Sequence, residues 1–89
     1  MASYDVTREA LEDLYRIWEY TFDSWSEVQA DKYEGLLRIA FSIIAANPLR
    51  TGKSYSLIYQ GLRGYKVGRH IVFYIIRGNG RVLIVRVLH

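Results

Sequence analysis

The stretch HIVFYIIRGNGRVLIVRVLH, residues 70–89, decides how this chain must fold. Two runs rich in β-branched and aromatic residues flank Gly78-Asn79-Gly80, the pattern of two antiparallel strands joined by a tight turn. Asn79-Gly80 predicts a two-residue type I′ turn, in which both central residues take positive φ. That turn sets a register: Arg77 opposite Val82, Ile76 opposite Leu83, Ile75 opposite Ile84, Tyr74 opposite Val85 and Phe73 opposite Arg86. Val72, Ile71 and His70 then face Val87, Leu88 and His89. Side chains alternate between faces with a period of two. One face therefore gathers Ile76, Leu83, Tyr74, Val85, Val72, Val87 and the two histidines. The other gathers Ile75, Ile84, Phe73, Ile71, Leu88 and Val82, interrupted by Arg77 and Arg86. One layer of helices covers only one face, so the other must meet something else, either a further segment of chain or another protein.

Upstream residues supply the helices. Ser3 to Val6 reads as a brief strand, and Thr7 offers an N-cap to a helix carrying Leu11, Leu14, Ile17, Trp18 and Phe22 at three- and four-residue steps. Glu9, Asp13, Arg16 and Glu19 form its solvated stripe. Trp18 is expected in the core and Trp25 packed at the corner that follows. Ser26 and Gln29 fit a capping box opening a second helix, with Tyr33, Leu37, Ala40, Phe41 and Ile44 in its stripe and Leu36 and Ile43 widening it. Pro48 ends that helix. Leu49 to Gln60 shows no sustained period and reads as a loop. A further strand runs from about Gly61 or Leu62 to Val67, with a turn at Gly68. The whole is one α+β domain over residues 1–89, ordered β-α-α-β-β-β, with a helix hairpin on one face of a small, mainly antiparallel sheet.

Composition narrows the function. There is no cysteine, so disulfides and thiolate metal sites are excluded. The N-terminus lacks the basic and apolar regions of a secretory signal, and no apolar run is long enough to span a bilayer, so a cytoplasmic protein is expected. The net charge of +3 conceals a division: all nine acidic residues lie between Asp5 and Glu34, and nine of the twelve basic residues follow Gly35. A second half with no carboxylate suits a polyanionic partner, either nucleic acid or an acidic protein segment. Arg63, Arg69, Arg77, Arg81 and Arg86 lie on or beside the three-strand sheet, and arginine suits bidentate recognition of carboxylates. Arg86, between Val85 and Val87, needs a carboxylate or carbonyl partner, either from a bound protein or from the first-half acids. Arg81, beside the turn, is expected to be solvated. Tyr55 and Tyr59 border the open side of the sheet.

The element order and several local stretches resemble the ParE/RelE superfamily of toxins from bacterial toxin–antitoxin modules. The matching residues are Tyr4-Asp5-Val6, Ala10, Asp13-Leu14 and Ile17, Gln29-Ala30 with Tyr33, Asn47-Pro48, Leu62-Arg63, the run from Val67 to Tyr74, and the terminal IVRVLH from Ile84 to His89. The last two are more similar to the ParE branch. The resemblance implies a toxin that inhibits DNA gyrase without catalysing a reaction, needs no cofactor or metal, and is neutralised by a ParD-like antitoxin. Such an antitoxin has an acidic, partly apolar C-terminal segment. DNA would be reached only indirectly, through antitoxin or gyrase, and no membrane is involved. The residues expected to face a partner are Arg63, Arg69, Tyr74, Arg77, Arg86, Tyr55 and Tyr59. Two alternatives stay open: a ribosome-dependent mRNA endonuclease of the RelE type, using His70, His89 and Arg63, and a relative that binds antitoxin but is not toxic. ParE-like proteins usually run on past the Leu88-His89 pair, whereas this sequence stops there.

Overall fold

A computed structural model describes residues 3–89. The elements are β1 (Tyr4–Val6), α1 (Arg8–Ser24), α2 (Glu27–Ala46), α3 (Pro48–Thr51), β2 (Lys53–Ser54), β3 (Arg63–Val67), β4 (His70–Ile76) and β5 (Val82–Leu88). The sheet order is β1-β5-β4-β3-β2. β1 runs parallel to β5 and every other pairing is antiparallel. The expected α+β arrangement is present, with α3 and the short edge strand β2 added where a loop was expected. Pro48 at the start of α3 presets a helical φ, and the Thr51 hydroxyl donates back to the Asn47 carbonyl at 2.6 Å, which stabilises that single turn.

Both long helices begin as their sequences dictate. The Thr7 hydroxyl accepts from the Ala10 N–H at 3.1 Å, and the Ser26 hydroxyl accepts from the Gln29 N–H at 3.1 Å. Each cap satisfies a backbone donor that the first helical turn leaves unpaired. The hairpin then lays Leu14, Leu37, Phe41 and Ile44 on the sheet, where they meet Val72, Tyr74, Val82, Ile84 and Val87. Ala10 and Ala30, both wholly buried, occupy positions that admit only a small side chain. The stripes are narrower than their periodicity suggests, since Leu11, Phe22, Leu36 and Ile43 stay exposed. Trp18 is half-buried, stacked on Phe22 with its indole N–H donating to Asp31 at 2.9 Å, and Trp25 is exposed rather than packed.

The hairpin turn differs from the type I′ expectation. Gly80 has φ +82°, but Asn79 does not enter the positive-φ region. The loop instead has three residues, Gly78 to Gly80: the Arg77 N–H donates to Arg81 O at 2.9 Å and the Gly80 N–H to Arg77 O at 2.8 Å. Only the last loop residue then needs the left-handed region, and glycine supplies it. The Asn79 side chain serves locally, accepting from the Arg81 N–H at 2.9 Å. The register consequently starts one residue off: Ile76 pairs with Val82, Ile75 with Leu83 and Tyr74 with Ile84. A β-bulge at Val85 then restores the expected pairs Phe73–Arg86, Val72–Val87 and Ile71–Leu88. Val82 and Ile84 are thereby turned into the core, whereas Leu83 and Val85, expected there, are only half-buried.

The two sides of α2 give a direct check. Leu37→Ala is expected to destabilise the protein by about 2–5 kcal/mol, through lost burial and the cavity left behind. Leu36→Ala, one residue away on the exposed side, should change stability by less than about 0.5 kcal/mol. Urea denaturation of both variants reads the difference.

Candidate functional site: a sheet face, a basic fringe and a histidine groove

Most of the arginines expected to face a partner are engaged within the fold. Arg86 follows the bulge and grips Asp13 of α1 with two hydrogen bonds, Nε to Oδ2 at 2.8 Å and Nη2 to Oδ1 at 3.0 Å. Asp13 also accepts the backbone N–H of Val87 at 2.9 Å. It is 5% exposed, not on the solvated stripe where helical periodicity put it. Burial alone would raise its pKa, but the bonds from Arg86 and Val87 and the charges of Arg86 and Arg16 outweigh that and hold it below the ordinary value of 3.8. The first-half acids thus supply the carboxylate that Arg86 required.

A second junction closes the turn. Arg81, expected to be solvated, forms a bidentate pair with Asp5, Nε to Oδ2 at 2.7 Å and Nη2 to Oδ1 at 2.9 Å, and donates to Ser3 Oγ at 2.7 Å. Arg77 reaches the same carboxylate at 2.9 Å. The Arg81 hydrogen bond and the charges of both guanidiniums hold the Asp5 pKa down.

Arg63 and Tyr74 form a third internal unit. Tyr74 is 0% exposed, so in this chain it is a core residue and not a surface contact. Its hydroxyl donates to Pro48 O at 2.7 Å and accepts the Gly52 N–H at 3.1 Å. Arg63 donates to the carbonyls of Pro48, Leu49 and Gly52 at 3.2, 3.0 and 2.7 Å. These bonds fasten α3 and β2 to the sheet. Among the described residues, the second-half cations in no ion pair are Arg50, Lys53, Arg63, Lys66 and Arg69, and of these Arg63 is held by backbone carbonyls. The sequence pointed to the first-half acids only for Arg86, because the partners of Arg77, Arg81 and Arg86 lie more than seventy residues away and those of Arg63 are backbone carbonyls.

The sheet face turned away from the helices carries Ile71, Phe73, Ile75 and Leu83, all half-buried, with Leu88 exposed. Gly64 and Lys66 pair with Phe73 and Ile71, and Lys53 pairs with Gly64, so the register places both lysines on this face. Tyr55 lies across it, edge-on to Phe73 at 5.2 Å. A Cβ at Gly64 would come within 2.6 Å of the Tyr55 ring and 2.9 Å of Ile71, so glycine is what lets Tyr55 lie flat there. Tyr59 is exposed beyond it. An apolar strip fringed by lysines suits an extended segment carrying both apolar and acidic side chains.

The histidines lie elsewhere, in a groove of about 800 Å³ between the helix hairpin and the β3–β4 turn. Arg16, Lys32 and Arg69 rim it, Tyr20 and Trp25 line one side, and among the described residues no Asp or Glu side chain lines it. The His70 and His89 ring centroids are 5.5 Å apart, and His70 Nδ1 is 2.7 Å from the Tyr33 hydroxyl. Burial, and secondarily His89, lowers the His70 pKa below 6.5, favouring the neutral imidazole. Arg63, the third residue of the endonuclease alternative, pairs with Tyr74 at the opposite end of β3 from His70 and is not brought to this groove.

A helix hairpin on a five-stranded, mostly antiparallel sheet with a parallel N-terminal strand is the RelE/ParE-like α+β fold. Its likeness to solved structures is close. A chain of the chromosomal ParDE system from P. aeruginosa superposes with a TM-score of 0.85 at 19% identity, covering 100% of this chain and 96% of the other. A chain of the toxin–antitoxin complex RelBE2 from Mycobacterium tuberculosis gives 0.66 at 22% identity, covering 99% and 96%. Residues 4–89 match the family described as ParE toxin of type II toxin–antitoxin system, parDE. Toxin ParE1 of Mycobacterium tuberculosis is 38% identical over 86 residues, covering 97% of this chain and 87% of that protein. Toxin ParE1 of Caulobacter vibrioides is 37% identical over 89 residues, covering 100% and 90%. The chain belongs to the ParE family of type II toxins, as the sequence resemblance implied. No helix among the described residues is long and apolar enough to cross a membrane.

The Asp13 junction carries a pH signature. A carboxylate with a depressed folded pKa stabilises the fold above its unfolded pKa, and that contribution is lost as pH falls through the folded value. Asp13→Asn should cost about 1–3 kcal/mol at pH 7, discounted because Arg86 is partly exposed. The gap between wild type and variant should narrow steadily below about pH 4. Thermal denaturation of both proteins from pH 2.5 to 7 measures it.

Proposed function

We propose that the chain is a cytoplasmic toxin that inhibits DNA gyrase by binding rather than by catalysis, and that a ParD-like antitoxin neutralises it. The observation that carries the antitoxin part is the outer sheet face, an apolar strip with Lys53 and Lys66 along it. The acidic, partly apolar C-terminal segment of such an antitoxin matches that face in both respects. Membership of the ParE family supports the gyrase part. The binding-only reading draws support from the separation of Arg63 from the two histidines and from a histidine groove with no Asp or Glu side chain among the described residues to tune it. DNA is reached only through the antitoxin or gyrase. A chain of this family that binds antitoxin without arresting growth is the outcome the same experiment detects.

Expression without antitoxin separates these readings. Growth should stop, purified protein should block supercoiling by gyrase, and bulk mRNA should stay intact. His70→Ala combined with His89→Ala should leave the growth arrest unchanged. Rapid mRNA cleavage that the double substitution abolishes would replace this function with the endonuclease one. Lys53→Glu with Lys66→Glu should weaken antitoxin binding at least tenfold, read by titration calorimetry.

A further inference from the structure

Between β2 and β3 the chain throws out a tip that the fold does not use. Leu57 is 105% exposed, Ile58 71% and Tyr59 67%, and Leu49 of the neighbouring α3 is exposed as well. Three adjacent large apolar side chains in water are a standing cost unless something covers them. The segment is nonetheless held in one shape. The Tyr55 N–H donates to Leu62 O at 2.8 Å and the Leu62 N–H to Tyr59 O at 3.0 Å. The Ile58 and Tyr59 N–H groups both donate to Tyr55 O, at 2.9 and 3.3 Å. The Ser54 and Ser56 hydroxyls bond to each other at 2.7 Å. Tyr55, clamped against Gly64 and Phe73, anchors the base. A shape fixed before contact loses little freedom on binding, which is what a specific docking element needs.

Charge decides what the tip can dock on. Arg50 and Lys53 flank it, neither is in an ion pair among the described residues, and no acidic residue follows Glu34. A second copy meeting it tip to tip would set these cations against each other. We infer that Leu57, Ile58 and Tyr59 form a rigid plug that enters an apolar cleft, rimmed by carboxylates, on the protein the toxin inhibits. This deepens the proposed function and rests on its claim that the toxin acts by binding a protein target. It also gives neutralisation a route, because Tyr55 joins the plug to the outer sheet face. A segment lying along Phe73 meets Tyr55 and crowds the plug from behind, so both partners compete without sharing most of their contacts.

The test uses the full chain carrying Leu57→Ser and Ile58→Ser. Neither side chain packs internally, so the melting temperature should stay within two degrees of wild type, and antitoxin affinity should fall less than threefold. Growth arrest and binding to purified gyrase should each weaken at least tenfold, while Leu57→Met with Ile58→Val should retain both. Wild type that arrests growth but ignores gyrase, with the serine variant harmless, would sink the gyrase target and keep the plug. Equal growth arrest by wild type and serine variant would overturn the plug, as would an antitoxin affinity that falls as far as toxicity. Sedimentation of wild type, but not the serine variant, with phosphatidylglycerol-containing vesicles would overturn it in favour of a membrane contact. Wild type without growth arrest or gyrase binding overturns both readings.

Discussion

The Asp13 carboxylate is the constraint around which the sheet is assembled. β1 pairs with β5 only from Val82 to Ile84, so the rest of the β5 edge needs other partners. The chain supplies them from the start of the first helix: the Thr7 N–H takes Ile84 O at 3.0 Å, the Thr7 hydroxyl takes Val85 O at 2.8 Å, and Asp13 accepts from Val87. An unpaired sheet edge invites other strands, and here the beginning of α1, from its cap at Thr7 to Asp13, closes it. Arg86 can reach Asp13 because Val85 bulges and redirects the strand after it. The three-residue turn, the bulge and the half-buried ion pair are therefore one feature: the bulge restores the pairing that the turn displaced.

The same arrangement redistributes the charge. Along the chain, acids come first and bases follow, which suggests an acidic N-terminal region and a basic region facing a partner. In three dimensions Asp5 pairs with both Arg77 and Arg81 and Asp13 pairs with Arg86, so two carboxylates offset all but one of these three positive charges. The polyanion-binding surface suggested by the sequence contracts to Arg50, Lys53, Lys66 and Arg69. Two of these flank the apolar sheet face, one belongs to α3 and one rims the histidine groove. Electrostatic steering of a partner is accordingly weaker than the count of basic residues implies.

How far the sequence could be read follows from the range of each interaction. Helix caps act over three residues, and Thr7 and Ser26 were legible from local spacing. Alternation within a strand is local too, and it accounts for the two apolar faces and the surplus of apolar surface. The hairpin register was only half legible, because Asn79-Gly80 and Gly78-Asn79-Gly80 are equally good loops and the bulge lies several residues beyond. Asp13 was misplaced because its helical position faces the β5 edge, a neighbour that only the assembled sheet creates. Arg63 and Tyr74 resembled surface groups because backbone carbonyls leave no trace in the sequence, and those carbonyls are what they bind.

Consider last the pairing of Tyr4 with Val82. The first strand waits for β5, and the helix hairpin packs on β4 and β5, which follow both helices along the chain. Until then Leu37, Phe41 and Ile44 have no sheet to cover them, and the pairings of β1 and the start of α1 with β5 join residues more than seventy apart. Closing so long a loop before its contacts form slows that step of folding. From the completion of α2 until β5 is made, the hairpin's apolar stripe has nothing to pack on, and the fold closes only when that strand is delivered.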